Sequence, residues 1–246
     1  MKRFFTLMKN ELKLNIRDMN MVIFALIMPL AVFIVLGLIY RSKPAFEGAD
    51  YTFLEQSFGA VCAVSICAGG LMGLPLVVAD YREKKILKRF KATPASPGLL
   101  LGAELAIYML YCAVSLITLA IAAYISGADF GGSLAKFLGS WALTAISTLS
   151  IGMMVGGLAK NSKQAGVIAS VLYFPALLFS GTTVPFEIMP GIMQKLVGLS
   201  PLTQGIGLMK STFLGIPSGN TAAAILTMLL TTAVCTGISV KFFKWE

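Results

Sequence analysis

Read for its apolar and polar positions alone, the chain resolves into six long apolar runs separated by short polar ones. Residues 21–40 carry no charge, and at about 1.5 Å per residue such a run covers a hydrocarbon core of about 30 Å. Further runs at 57–79, 99–125, 137–158, 165–184 and 221–240 have the same character, so six transmembrane helices in an all-α fold are predicted. Pro29 is expected to kink the first, and Pro175 lies inside the fifth. Gly69-x-x-x-Gly73 and Gly152-x-x-x-Gly156 permit close helix approach in the second and fourth.

Three stretches depart from this pattern. In residues 3–19, Phe4, Leu7, Met8 and Leu12 line one helical side, with Lys2, Arg3, Lys9, Lys13 and Arg17 on the other. This predicts an amphipathic helix in the membrane interface, its basic side chains toward anionic head groups. Residues 185–210 are too apolar for a free loop, yet Pro185, Pro190 and Pro201 interrupt them, and 196–209 offers only fourteen uncharged positions. Too short to span, that segment is expected to form helices dipping into the outer leaflet, with Pro190 in the first turn of one and Pro201, after Ser200, opening another. Irregular backbone at such depth must be covered by protein or line a wet cavity, which makes Pro185, Pro190 and Pro201 candidate elements of an extracellular gate.

The third stretch, residues 80–98, concentrates Arg82, Lys84, Lys85, Lys88, Arg89 and Lys91, six of the chain's twenty Lys and Arg residues. Asp80 as N-cap, with Glu83 three residues on, predicts a helix over 81–92, which Thr93-Pro94 would stop. Ile86, Leu87 and Phe90 share one of its faces. A solvated loop that merely sets topology would explain the charge but neither the cap nor the apolar face, so a docking element is expected.

Composition removes several function classes. Of 246 residues, 57% are hydrophobic and 13% charged, with a mean hydropathy of +0.83, which marks an integral membrane protein. The net charge of +9 lies in short loops flanking apolar runs rather than on one folded face, so membrane orientation explains it better than nucleic-acid binding. Histidine is absent, which removes the commonest metal ligand and general base. Cys62, Cys67, Cys112 and Cys235 lie within apolar runs and form no C-x-x-C pair. The charged start does not resemble a cleavable signal, and the first span is expected to be retained.

Charge also sets orientation. With the N-terminus inside, inner segments hold fifteen Lys and Arg against five outside, namely Arg41, Lys43, Lys136, Lys195 and Lys210. Both termini are therefore expected in the cytoplasm. The outer segment 41–56 carries Glu47, Asp50 and Glu55. Among the apolar runs only Glu104 is charged, near the inner end of the third. A structural latch to Lys13 or Arg17 of the first helix is expected, with a pathway-lining carboxylate as the alternative.

On these six spans, two motifs carry a resemblance. Arg82-Glu83-Lys84 through Leu87, Arg89, Thr93 and Pro94, with residues 99–104 opening the third span, is similar to the R-E-x-G-x-x-E-x-L-x-x-T-P arrangement of ABC-2 type transporter permeases. Ser180-Gly181, Pro185, Pro190 and Ser200-Pro201 resemble the same family's signature before the last span. Where similar permeases carry Gly and a second Glu, this chain has Lys85 and Lys88, so its contact is expected to be more electropositive.

The resemblance implies a single ABC-2 transmembrane domain over 1–246 and an exporter's membrane subunit in a bacterial plasma membrane. The chain has no G-x-x-x-x-G-K-[ST] loop, so it is expected to bind no cofactor, with ATP and Mg held by a separate ABC ATPase. Arg82, Glu83, Ile86, Leu87 and Phe90 would form the ATPase-coupling helix, and a second permease chain, identical or homologous, would complete the pathway. Apolar walls suit an amphipathic or lipid-like cargo such as a drug, antibiotic or lipopeptide. The competing classes are an ion- or proton-coupled secondary transporter, which would need more mid-membrane ionisable groups, an intramembrane enzyme, and a cargo-free structural subunit.

Overall fold

The protein is seen in a computed structural model that describes residues 2–17, 19–40, 43–46, 48–91, 97–179, 191, 197–198, 200–217 and 219–242. Thr93, Pro94, Pro185 and Pro190 lie outside these, as do twelve of the twenty-six residues of the expected 185–210 segment. The described residues are helical almost throughout, with one isolated antiparallel bridge, Pro44 to Thr52.

Helix α1 is Lys2–Arg17. Helix α2 runs from Met19–Val22 through a π turn, Ile23–Ile27, into Met28–Tyr40. Helix α3 joins Phe53–Cys67, a π turn at Ala68–Gly73 and Leu74–Glu83. The short α4 is Ile86–Lys91, followed by α5 (Pro97–Ile125), α6 (Leu134–Leu158), α7 (Ser162–Phe179), α8 (Pro201–Leu214) and α9 (Thr221–Phe242). Five of the described helices are long and apolar enough to cross a membrane, in α2, α3, α5, α6 and α9. Where the fifth predicted span falls, α7 is described for 18 residues, at the short end of what a hydrocarbon core demands, and is not among those five.

The two π turns share one cause. In α2 the Met28 N–H bonds back to the Ile23 carbonyl and Pro29 follows; in α3 the Leu74 N–H bonds back to Gly69 and Pro75 follows. A proline supplies no N–H and its ring crowds the preceding turn, and widening that turn by one residue makes room for it. The kink expected at Pro29 is thus absorbed in the turn before it.

In α3 the widened turn also frees a carbonyl. The α-helical partner of Gly70, the Leu74 N–H, is taken by Gly69, and the next candidate is Pro75, which has none. That carbonyl faces Gly152 of α6, where a Cβ would overlap the Gly70 oxygen, so Gly152 meets it with its Cα–H. One turn on, a Cβ at Gly156 would collide with Val78 and the Pro75 carbonyl. The second glycine pair works toward the other side: at Gly73 a side chain would strike Met21 and Tyr108. The Gly152 motif therefore marks a close backbone approach to α3, while Gly69 and Gly73 make room for side chains of α2 and α5. Helix α3 is the buried axis of the bundle, whereas α2 and α9 turn Ile34, Leu38, Leu226 and Leu230 outward.

Helix α3 is longer than the 57–79 predicted, at both ends. At its start the Glu55 N–H donates to Thr52 Oγ1 (3.2 Å) and the Thr52 N–H to Glu55 Oε2 (2.7 Å), a complete capping box. Glu55, expected in a polar loop, is buried there and also accepts from the Asp129 N–H at 2.8 Å. Nearby, α8 begins at Pro201 as expected and packs between α3 and α6. Phe213 of α8 stacks on Phe58 of α3 (4.6 Å between centroids) and sits edge-on to Phe130 (4.9 Å), while the Ser133 N–H donates to the Thr212 carbonyl at 3.2 Å. Fourteen residues of helix reach about 21 Å, short of a bilayer core.

Gly152→Ala is expected to lower stability by about 1–3 kcal/mol, because the new methyl has to push α3 and α6 apart. Gly139→Ala, on the same helix with open space around it, is expected to be neutral or mildly stabilising. Thermal unfolding of the detergent-solubilised chain measures both, and equal midpoints would remove the backbone contact as the reason for the glycine.

Candidate functional site at the basic end

Local sequence predicts a helix starting after Asp80, and the structure corrects this. Helix α3 continues unbroken through Asp80 to Glu83, since the Lys84 N–H still donates to the Asp80 carbonyl at 2.9 Å. Asp80 caps nothing. Its carboxylate pairs with Lys84 Nζ one turn on, at 2.9 Å, and this exposed ion pair holds the Lys84 ammonium above its usual range. The break comes at Lys84 and Lys85, the latter with φ of 56°. A left-handed conformation on a non-glycine residue costs of order 1 kcal/mol, so this elbow is imposed by its surroundings. Beyond it α4 is described over six residues, Ile86–Lys91, and 81–83 of the expected 81–92 helix belong to α3 instead, residue 92 lying outside the described residues.

What holds α3 straight as far as Glu83 is a set of distant partners. Arg82 Nη1 donates to the carbonyls of Gly157 and Ala159, each at 2.6 Å, and of Gly156 at 3.4 Å, all at the C-terminal end of α6. Glu83 Oε2 accepts from the Ser162 N–H (2.9 Å) and Oγ (2.8 Å) at the start of α7. Beneath them Ala79, Ala159 and Ala165 pack together with almost no exposed surface.

Past the elbow, Leu87 is 1% exposed in the main core, and Ile86 and Phe90 are half-buried against it. The apolar face of α4, expected to be offered outward, is thus turned onto the chain's own spans, and the face left open carries Lys84, Lys85, Lys88 and Arg89.

Beside this junction lies a buried polar cluster. Glu104, fully buried on α5, accepts from Tyr81 Oη of α3 (3.0 Å) and Asn15 Nδ2 of α1 (3.3 Å). The Tyr81 hydroxyl also reaches Glu11 Oε2 of α1 at 2.7 Å. Glu104 therefore ties three helices, as a latch would, but through neutral groups; Lys13, one of the two cations expected to pair with it, is exposed. Leu7, Met8 and Leu12 pack α1 onto the core beneath.

The structure thus brings Arg82, Glu83, Leu87 and Glu104 together at one end, whereas Pro201 lies beside Leu71, Thr148 and Pro175, partway along α3, α6 and α7. Tyr81, Asn15 and Glu11 escaped the sequence reading, as did the contacts of Arg82 and Glu83 with the tight turn that Lys160 and Lys163 mark. Glu11 had a signal, being the lone acid of a basic helix, and Thr52-x-x-Glu55 reads as a capping box. Between α5, α6 and α9 runs an apolar groove of about 470 Å³, lined by Leu101, Leu105, Met109, Leu149, Met153 and Val240, with Thr232 and Thr236 on one wall. Among the described residues no cluster of His, Cys, Asp or Glu could hold a metal ion.

Glu104→Ala removes the acceptor that joins α5 to Asn15 and Tyr81, whose remaining acceptors both lie on Glu11 of α1, and is expected to cost about 1–3 kcal/mol, with earlier proteolytic release of α1. Glu104→Gln, which can still accept, is expected to keep most of that stability. Limited proteolysis and unfolding midpoints compare the two, and an Ala variant as protease-resistant as the parent would remove the latch.

A sequence profile described as ABC-2 type transporter matches residues 2–214. Two similar proteins of Escherichia coli strain K12 are named "Probable multidrug ABC transporter permease YbhR", 26% identical over 156 residues, and "Probable multidrug ABC transporter permease YbhS", 24% identical over 174. Those matches cover 63% and 70% of this chain and 42% and 45% of the relatives, so the chain spans less than half the length of the proteins it matches. "Inner membrane transport permease YhhJ" of the same strain is 30% identical over 82 residues, 33% of this chain and 22% of that one.

Proposed function

The chain belongs to the ABC-2 type transporter family, and from that membership we propose that it is the membrane-spanning permease subunit of an exporter powered by a separate ABC ATPase. The observation that carries this reading is the basic end: a six-residue helix with a cationic outer face, set on an elbow and rooted in the core through Leu87. ATP and Mg belong to the partner. Its closure on binding nucleotide pushes on Lys84, Lys85, Lys88 and Arg89, and the load passes through Leu87, Ile86 and Phe90 into α3 and α5. Arg82 and Glu83 act from inside, on the permease's own helices. The two-position behaviour of the bundle is then biased from one end by the nucleotide state.

In this reading α7 completes six spans, both termini are cytoplasmic, and the membrane is a bacterial plasma membrane. Segment 185–210, with Pro185, Pro190 and Pro201, closes the outer end, and a second permease chain, identical or homologous, provides the other half of the passage. The cargo is amphipathic or lipid-like. The apolar groove between α5, α6 and α9, with threonine hydroxyls on its rim, suits such a molecule.

Because the open face is cationic, the contact with the ATPase is expected to be salt-sensitive. Lys88→Glu with Arg89→Glu is expected to cut co-purification of the ATPase about tenfold, roughly 1.4 kcal/mol, while membrane insertion is unchanged. Parental recovery at 0.15 M salt would remove α4 as the docking element. For topology, a cysteine replacing Lys85 is expected to react with an impermeant thiol reagent only from inside and one replacing Lys136 only from outside; the reversed pattern would overturn the orientation.

A further inference from the structure

Arg82 and Glu83 are adjacent in sequence, and their side chains finish on the ends of two different helices. The last carbonyls of α6 have no donor within their own helix and carry the negative end of its dipole; Arg82 places a cation on the Gly157 and Ala159 oxygens. The first N–H groups of α7 are orphans of the opposite sign, and Glu83 places a carboxylate on the Ser162 N–H and hydroxyl. Only Ala159, Lys160 and Asn161 separate these helices. One dipeptide therefore grips both sides of a three-residue turn, each charge on the end whose dipole attracts it.

Two further features make this grip more than a pair of caps. Directly below, Ala79 of α3 packs on Ala159 and Ala165 with no long side chain between them, and Val78 meets Gly156. Such short contacts leave no slack along which α3 could slide past the turn. The grip also lies on the residues just before Lys85, where the chain bends into α4.

We propose that Arg82 and Glu83 are positioning residues that make the α6–α7 turn move as one body with the α3–α4 elbow, so that a push on α4 reaches α6 and α7 as directly as it reaches α3. The proposal rests on the permease reading above. It gives Arg82 and Glu83 a role in transmission without contact to the ATPase, and extends the driven body to α6 and α7.

The test uses the complex of the full chain with its ATPase in nanodiscs, with spin labels on cysteines replacing Lys88, Asn161 and Lys136 in pairs; the four native cysteines are buried. In the parent, a non-hydrolysable ATP analogue is expected to shift the 88–136 and 161–136 distances together by about 2 Å or more while 88–161 stays constant. In Arg82→Gln with Glu83→Gln, the 88–136 shift is expected to persist and the 161–136 shift to vanish, with the ATPase still bound. Arg82→Lys with native Glu83 is expected to recover part of the response. If the double variant does not fold, Glu83→Gln alone is read in the same way, together with hydrogen exchange at Ser162 in the full chain, expected to rise at least tenfold. A 161–136 shift of parental size in the variants overturns the proposal. No nucleotide response at any pair in the parent, with the ATPase bound, overturns the permease reading itself and the proposal with it.

Discussion

A proline within a membrane-spanning helix leaves a carbonyl without a donor, and in hydrocarbon no water is at hand to supply one. Pro75 of α3 creates this problem in the most buried helix of the bundle, and the local answer, a π turn from Ala68 to Gly73, moves the unpaired group to Gly70. The tertiary answer is α6, whose Gly152 brings its backbone close enough to cover that oxygen. Much else follows from this contact. With α3 and α6 at backbone distance, Val78 meets Gly156, the three alanines below fall into register, and the end of α6 comes within reach of Arg82.

The basic end is then a matter of electrostatics on a fixed frame. Charges that a linear reading assigns to a free docking helix divide into two sets. Arg82 and Glu83 are consumed by the helix ends beside them, whereas Lys84, Lys85, Lys88 and Arg89 stay outside. Glu104 survives full burial because Tyr81 and Asn15 supply hydrogen-bond donors, which lets α1, α3 and α5 share one polar knot just inside the apolar region.

The span pattern was legible because a hydrocarbon core demands about twenty uncharged residues whatever their neighbours, and 21–40, the part of 99–125 beyond Glu104, and 221–240 satisfy that demand locally. Boundaries were less so. Asp80-x-x-Glu83 and Thr52-x-x-Glu55 are alike as strings, yet only the second forms a capping box, because Glu83 finds Ser162 seventy-nine positions away. The inward turn of Ile86, Leu87 and Phe90 was equally invisible, since an apolar helix face does not say whose core it will enter. For Glu104 a latch to Lys13 or Arg17 is the reading its energetics suggest, but the partners the structure gives it lie 23 and 89 residues distant and carry no charge to advertise them.

Helix α8 has a bearing on biogenesis. At fourteen residues it is too short to partition into a bilayer unaided, and its apolar side chains are covered by α3 and α6, with Leu208 packed on Ala224 and Met228 of α9. Both of those helices precede it in the chain, so they stand in the membrane before α8 leaves the ribosome. The segment thus meets two walls of its cradle already built, and α9 closes the third behind it.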